Sequence, residues 1–164
     1  MITDIDGADA RGSSQTVTAL AACNGTALRK AMRRITLMYD DALGPCGIRS
    51  TQFAILAALD EAAVPPTIGE LADRLVMDSS ALGHTLKPLE REGWVQLEVS
   101  TEDRRRKRLI LTQAGQAQLR EAETLWRGVQ AKFEDVMGKE QSAALRAVLL
   151  TIAHDDRLGI EAAA

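Results

Sequence analysis

Between residues 67 and 112, helix-start and helix-end signals follow one another in an order that few folds share. Thr67 and Glu70 have the spacing of a capping box, which begins a short helix. Asp78 supplies an N-cap for a second helix soon after the first one ends. Gly93 stands where a glycine commonly ends such a helix. Two short helices joined by a tight turn predict a helix-turn-helix.

A two-stranded hairpin is expected after this pair of helices. Apolar and polar residues alternate from 95 to 100, which is the period of a half-buried strand, and residues 109–111 are its expected partner. Between them lies a polar tip with cations at every position from 104 to 108. The order of helix, turn, helix, strand, basic tip and strand predicts a winged helix-turn-helix that binds DNA.

Amphipathic helices are expected on both sides of this segment. Residues 26–43 and 49–62 carry apolar residues at spacings of three and four, and both helices are expected to be core scaffold. Thr112 can cap a long helix whose apolar repeat runs over more than two heptads, and a last amphipathic helix follows Gly138. An apolar stripe of this length requires a partner helix that covers it.

Composition and charge exclude several classes of protein. The net charge of −3 argues against a protein that coats nucleic acid nonspecifically. Between residues 67 and 112, eight acidic and eight basic residues cancel, so the tip and the second helix must attract the DNA. With two cysteines, two histidines and no Gly-rich phosphate loop, we expect no disulfide framework, metal site, cofactor or enzyme activity. No signal peptide or membrane span is recognisable, which predicts a cytoplasmic protein without a membrane partner.

The second helix and the tip carry the candidate DNA contacts. Small residues near the start of the helix allow close approach to the major groove, and its first amides can meet a phosphate. His84 and Lys87 can reach a base edge or a phosphate. In the tip, a guanidinium can enter the minor groove, and Asp103 can hold one arginine in a fixed rotamer. Pro88 removes a backbone hydrogen bond and is expected to kink the helix. The candidate DNA-binding residues are Ser79, Ser80, Gly83, His84, Thr85, Lys87, Asp103, Arg104, Arg105 and Arg106.

These residues resemble the MarR family, the multiple-antibiotic-resistance regulators. The resemblance covers roughly residues 27–152 and is carried by "IGELADRL", "SSALGHTLKPLEREGWV" and "DRRRKRLILTQAG". It implies an obligate homodimer, joined by its first and last helices, that binds a short palindrome in double-stranded DNA. Asp103 and Arg105 match the family's structural acid and minor-groove arginine. The resemblance also implies a repressor that a small aromatic or phenolic effector releases from its operator.

With this resemblance, the fold class is mainly α with a small β-hairpin wing, a winged helix-turn-helix with N- and C-terminal dimerisation helices. Residues 1–25 are expected to be a mobile arm, 26–158 a single MarR-type domain and 159–164 a tail. Within the domain, the dimerisation helices are placed at 26–43 and 113–158, and the winged helix-turn-helix at 49–112.

The resemblance places an effector pocket between the dimerisation helices and the winged domain. The candidate ligand residues are Met32, Met38, Tyr39 and Trp126, because the first and fifth helices border the expected cavity. Trp126 is alternatively a core or dimer-seam residue. Arg33 and Arg34 either bind a ligand carboxylate or pair with Asp40 and Asp41.

The two cysteines give an alternative function, a thiol-based redox sensor that uses Cys23 or Cys46. The simpler interpretation is a pair of incidental thiols, because reactivity requires a lowered pKa. The MarR family includes a peroxide-sensing branch with an N-terminal cysteine, and Cys23 lies about two residues before that position. Tyr39 matches one supporting tyrosine of this branch, whereas Arg29 replaces another.

Overall fold

The computed structural model describes residues 20–99 and 107–158. The fold is mainly helical with one two-stranded antiparallel hairpin, which confirms the predicted fold class. The chain divides into two compact units, Met1–Met38 and Tyr39–Ala164. The described elements are α1 (Asn24–Leu43), a 3₁₀ turn (Gly44–Cys46), α2 (Ser50–Asp60), α3 (Ile68–Arg74), α4 (Ser79–Arg91), β1 (Val95–Val99), β2 (Lys107–Leu111), α5 (Gln113–Met137), α6 (Lys139–His154) and a second 3₁₀ turn (Asp156–Leu158).

The three predicted helix starts are confirmed by side-chain caps. The amide of Glu70 donates to Thr67 Oγ1 at 3.3 Å, and the amide of Thr67 donates to Glu70 Oε2 at 2.7 Å. Asp78 Oδ1 accepts the amides at positions 80 and 81, at 2.8 and 3.2 Å. Thr112 Oγ1 accepts the amide of Gly115 at 3.0 Å. Each cap satisfies backbone donors that have no partner within their helix.

Left-handed residues mark the junctions between helices. Gly93 follows α4 with a φ of 71°, and Gly138 separates α5 from α6 with a φ of 85°. In the turn between α3 and α4, Val76 has a φ of 51°. Glycine adopts this region freely, whereas a β-branched side chain is strained there.

The hairpin is attached to the segment that precedes α3. β1 and β2 pair antiparallel, with Val95 opposite Leu111. On the other side of β2, the amide of Leu109 donates to the carbonyl of Pro66 at 2.8 Å, and Thr67 forms a β-bridge with Arg108. The hairpin is therefore joined to the helix-turn-helix by backbone hydrogen bonds as well as by apolar packing.

The apolar core lies among α2, α3, α4, the hairpin and the first half of α5. The predicted inward face of α4 is confirmed, since Leu82, Leu86 and Leu89 are at most 1% exposed. Phe53 of α2 and Trp126 of α5 stack with ring centroids 5.9 Å apart. The other fully buried large side chains are Leu43, Ile48, Ile55, Leu56, Leu71, Leu109 and Val95.

Among the residues of α1, which is expected to be core scaffold, only Leu43 at its end is buried. Helices α5 and α6 also expose apolar side chains. The large apolar side chains exposed on these three helices are Leu28, Met32, Leu37, Val136, Met137, Val148, Leu150 and Ile152.

None of the helices in residues 20–99 and 107–158 is long and apolar enough to cross a membrane.

Candidate nucleic-acid interface

Helix α4 presents one polar side to solvent because its apolar side is fixed in the core. The turn that leads into it is held by the amide of Met77, which donates to the carbonyl of Ala72 at 2.8 Å. On the outer side of α4, the residues at positions 79, 80, 84 and 87 are exposed, and those at 83 and 85 are half-buried. The structure therefore brings the candidate contacts on this helix, Ser79, Ser80, Gly83, His84, Thr85 and Lys87, together at its outer side.

Two hydroxyl groups on α4 already donate hydrogen bonds within the protein. Ser80 Oγ donates to Asp78 Oδ1, and Thr85 Oγ1 donates to the carbonyl of Ala81 at 3.0 Å. Ser79, by contrast, makes no side-chain hydrogen bond within the described residues. Ser79 is therefore the hydroxyl on this surface that is free to donate to a phosphate or a base.

Asp78 gives the start of α4 a negative charge. Hydrogen bonds from the Ser80 side chain, and then from the amides of Ala81 and Ser80, hold the pKa of this carboxyl below its ordinary value. Asp78 is therefore ionised at neutral pH. Two of the amides that the sequence offered to a phosphate are already paired with this carboxylate. The positive charge on this helix must come from side chains further along it.

Pro88 does not end α4. The helix runs unbroken from Ser79 to Arg91, and the amide of Glu92 donates to the carbonyl of Pro88 at 3.0 Å. A proline removes the hydrogen bond of its own nitrogen but leaves its carbonyl available as an acceptor. His84 and Lys87, which precede Pro88, thus remain on a continuous helix.

The basic run does not lie wholly on the hairpin tip, which corrects the expectation of five cations there. Lys107 and Arg108 belong to strand β2. Lys107 is exposed, whereas the side chain of Arg108 is only 23% exposed. The Arg108 guanidinium donates from Nη1 to the carbonyl of Pro65 at 2.7 Å. The remaining candidates in the wing, Asp103, Arg104, Arg105 and Arg106, lie outside the described residues.

The sequence did not separate Arg108 from its basic neighbours. Alternation along β2 places the side chains of Arg108 and Lys107 on opposite faces of the strand. The residues that Arg108 contacts, however, belong to a separate backbone segment, residues 65–67. That segment is 43 residues away in the sequence from Arg108. No local pattern identifies such a contact.

The candidate ligand residues have different environments. Met32 is 62% exposed and Met38 is half-buried. Tyr39 Oη donates to Gln130 Oε1 at 2.6 Å, and partial burial of the phenol raises its pKa. Trp126 packs against the core and stacks on Phe53.

The two cysteines also differ. Cys23 is exposed, and hydrogen bonds from the side chain and backbone of Thr26 lower the pKa of its thiol. Cys46 is half-buried, and its thiol donates to the carbonyl of Leu43 at 3.0 Å.

An ion pair other than the expected one holds Asp40. Its Oδ1 accepts the amide and the hydroxyl of Ser50, both at 2.7 Å, and its Oδ2 accepts from Arg49 at 3.1 Å. Within residues 20–99 and 107–158, no group of three or more histidine, cysteine or acidic side chains is arranged to hold a metal ion.

Comparisons with known proteins find DNA-bound regulators of similar fold. The MarR family model matches residues 48–107. The M. tuberculosis transcriptional regulator MosR in complex with DNA is 32% identical over 85% of this chain and 99% of its own, with a TM-score of 0.75. The repressor CouR bound to a 23-mer DNA duplex is 29% identical over 82% of this chain and 95% of its own, with a TM-score of 0.75.

A second CouR structure contains p-coumaroyl-CoA. It is 26% identical over 83% of this chain and 95% of its own, with a TM-score of 0.74. CouR is from Rhodococcus jostii RHA1. No curated protein matches this chain in sequence. The family model, together with 32% identity to a regulator covered over nearly its whole length, establishes that this chain belongs to the MarR family of winged helix-turn-helix transcription regulators.

Proposed function

We propose that this protein is a sequence-specific DNA-binding regulator that represses transcription as a homodimer and leaves its palindromic operator when a small effector binds. The observation that carries the proposal is the outer side of α4. Its apolar side is fully buried, while Ser79, His84 and Lys87 are exposed. A helix presented in this way fits the major groove, and its small first residues permit close approach.

The wing supplies the second contact in this proposal. We place Arg105 in the minor groove, where a guanidinium is attracted by the negative potential, with Asp103 fixing its rotamer and Arg104 and Arg106 near phosphates. The chain has a net charge of −3, so attraction to DNA must be local. MosR and CouR, which share the fold, have both been determined on DNA.

A dimer would place two copies of α4 on two half-sites of a palindrome. The apolar side chains exposed on α1, α5 and α6 support this assembly, because a soluble monomer rarely exposes a large apolar surface. An effector that changed the separation of the two recognition helices would spoil the fit to both half-sites together.

We propose an aromatic or phenolic effector, with Met32, Met38, Tyr39 and Trp126 as the candidate contacts. CouR with bound p-coumaroyl-CoA supports a phenolic acyl group as the first compound class to test. Tyr39 offers a phenol that already makes a hydrogen bond, to Gln130, which an effector oxygen could replace.

The test is a fluorescence anisotropy titration with the DNA upstream of the protein's own gene, across a salt series. Wild type is compared with Arg105→Ala and with Lys87→Ala. Wild type should bind specifically, and Arg105→Ala should weaken binding about tenfold and reduce the salt slope by about one unit. An unrelated duplex of equal length controls for nonspecific binding. Equal affinity of wild type and Arg105→Ala would show that the wing assignment is wrong.

A redox switch is the second candidate, favoured by the exposed thiol of Cys23 with its lowered pKa. A thiolate is the form that peroxide oxidises to a sulfenic acid. If Cys23 is the sensor, peroxide should release wild-type protein and Cys46→Ser from DNA but not Cys23→Ser. Release of Cys23→Ser at the same peroxide concentration would exclude this residue as the sensor.

A further inference from the structure

The side chain of Arg108 makes polar contacts with other residues of the protein. Its Nη1 donates to the carbonyl of Pro65 at 2.7 Å and lies 3.9 Å from Glu70 Oε2. The side chain is 23% exposed. Lys107, its neighbour in β2, is exposed and forms no ion pair with any other described residue. Two adjacent cations of one strand therefore face different environments.

These contacts join the wing to the beginning of the helix-turn-helix. Pro65 precedes α3, and Glu70 is the capping-box residue that accepts the amide of Thr67 at 2.7 Å. The backbone of β2 is attached to the same segment, through the Thr67–Arg108 bridge and the hydrogen bond from Leu109 to Pro66. The Arg108 side chain and the β2 backbone thus hold one junction together.

An arginine suits this position because its guanidinium is planar and its donors have fixed directions. Its Nη1 contacts both the Pro65 carbonyl, at 2.7 Å, and Glu70 Oε2, at 3.9 Å, so one end of the planar group is held against the segment before α3. Lysine would keep the charge but would present a rotating point donor. The junction therefore depends on the shape of the side chain and not only on its charge.

A small rotation of β2 at this junction would displace the wing. Arg105 is three residues before Arg108, so at most about 10 Å of extended chain separates them. Misplacement by about 1 Å is enough to weaken a precisely positioned contact.

We infer that Arg108 is a positioning residue, which fixes the base of the wing against the start of α3 so that the wing and α4 meet DNA together. The inference rests on the proposed function. Arg108 acts through the wing and does not itself bind a phosphate.

The experiment combines DNA binding with amide hydrogen exchange on DNA-free protein. The variants are Arg108→Met, Arg108→Lys, the matched control Lys107→Met, and the double variant Arg105→Ala/Arg108→Met. Binding is measured with the DNA upstream of the protein's own gene, with the active fraction determined for each variant. Thermal unfolding at one protomer concentration shows whether each variant is folded.

Arg108→Met should weaken binding about fivefold to tenfold while its Tm stays within a few degrees of wild type. Arg108→Lys should weaken binding nearly as much, although the charge is kept. In the Arg105→Ala background, Arg108→Met should cause a clearly smaller loss than in wild type, because both changes act through the wing. The Leu109 amide, which donates to Pro66, should exchange faster in Arg108→Met than in Lys107→Met.

Several results would overturn the inference. Additive losses in the double variant would make Arg108 an independent phosphate contact. Wild-type affinity of the active fraction of Arg108→Met would leave the residue a purely structural role. Unchanged exchange at Leu109 would show that the junction does not depend on this side chain. If the wild-type protein binds no DNA, the proposed function fails and the positioning role fails with it, whereas the exchange data still report on the junction alone.

Discussion

Among the described glycines, Gly115 has the least room for a side chain. It lies in the first turn of α5, and a Cβ atom there would overlap the carbonyl oxygen of Trp94 and lie 2.7 Å from Leu111 Cδ1. The Trp94 carbonyl also accepts the amide of Thr112 at 3.0 Å, so it cannot move without weakening that bond. The start of α5 is therefore packed directly against backbone.

We expect Gly115→Ala to lower the free energy of unfolding by about 2–3 kcal/mol. The added methyl group would meet backbone atoms, which cannot move aside as a flexible side chain can. Chemical denaturation at a fixed protomer concentration measures the change. Gly69→Ala in α3 is the control, since no atom lies within 4 Å of its added methyl group. A loss for Gly69→Ala as large as that for Gly115→Ala would contradict the steric explanation.

Val76 is strained at the turn between the two helices of the helix-turn-helix. Its φ is 51° and the residue is 58% exposed, so the strain is not balanced by burial. Asparagine tolerates the left-handed region and avoids the large unfolded-state entropy of glycine. Val76→Asn should therefore raise the free energy of unfolding by about 1 kcal/mol in chemical denaturation. Val64→Asn, at a 64% exposed site without positive φ, should give no such gain.

At the scale of elements, Asp40 joins the end of α1 to the beginning of α2. Desolvation by itself would raise the pKa of this carboxyl, but hydrogen bonds from Ser50 and Arg49 outweigh it and leave the pKa below its ordinary value of 3.8. The stabilisation is therefore present above about pH 4 and is lost as the pH falls through the lower, folded-state value.

Asp40→Asn should lower the free energy of unfolding by about 1 kcal/mol at pH 7, because the amide keeps an acceptor for Ser50 but loses the charge. Denaturant titrations from pH 7 to pH 3 should show the difference from wild type shrinking below pH 4. Asp41→Asn, at the exposed neighbouring position, should match wild type at every pH. A difference for Asp40→Asn that is independent of pH would exclude the ionised carboxylate as its source.

At the scale of the whole molecule, the terminal helices expose apolar side chains that a homodimer would bury. Val148 and Ile152 are one turn apart on α6 and are 57% and 41% exposed. Charges there would be costly to bury at an interface. Val148→Glu/Ile152→Glu should therefore elute as a monomer in size-exclusion chromatography with light scattering, whereas wild type and Val64→Glu should elute as dimers. A monomeric wild type would contradict the proposed dimer.

The elements that could be predicted from the sequence are those that local chemistry controls. The caps at Thr67, Asp78 and Thr112, and the glycine after α4, were predictable because a cap involves residues within one helical turn. The buried face of α4 was predictable because apolar residues recur at helical spacing. The outer face, with His84 and Lys87, followed as its complement.

Which polar groups already have a partner within the protein could be seen only in the folded chain. Asp78 accepts hydrogen bonds from backbone amides that were expected to bind a phosphate, and Asp40 is paired with Arg49 and Ser50. Arg108, the last residue of the basic run, contacts Pro65, which is far away in the sequence. Such pairings depend on how separate segments approach one another in the folded chain, and the spacing of residues along one segment carries no information about that.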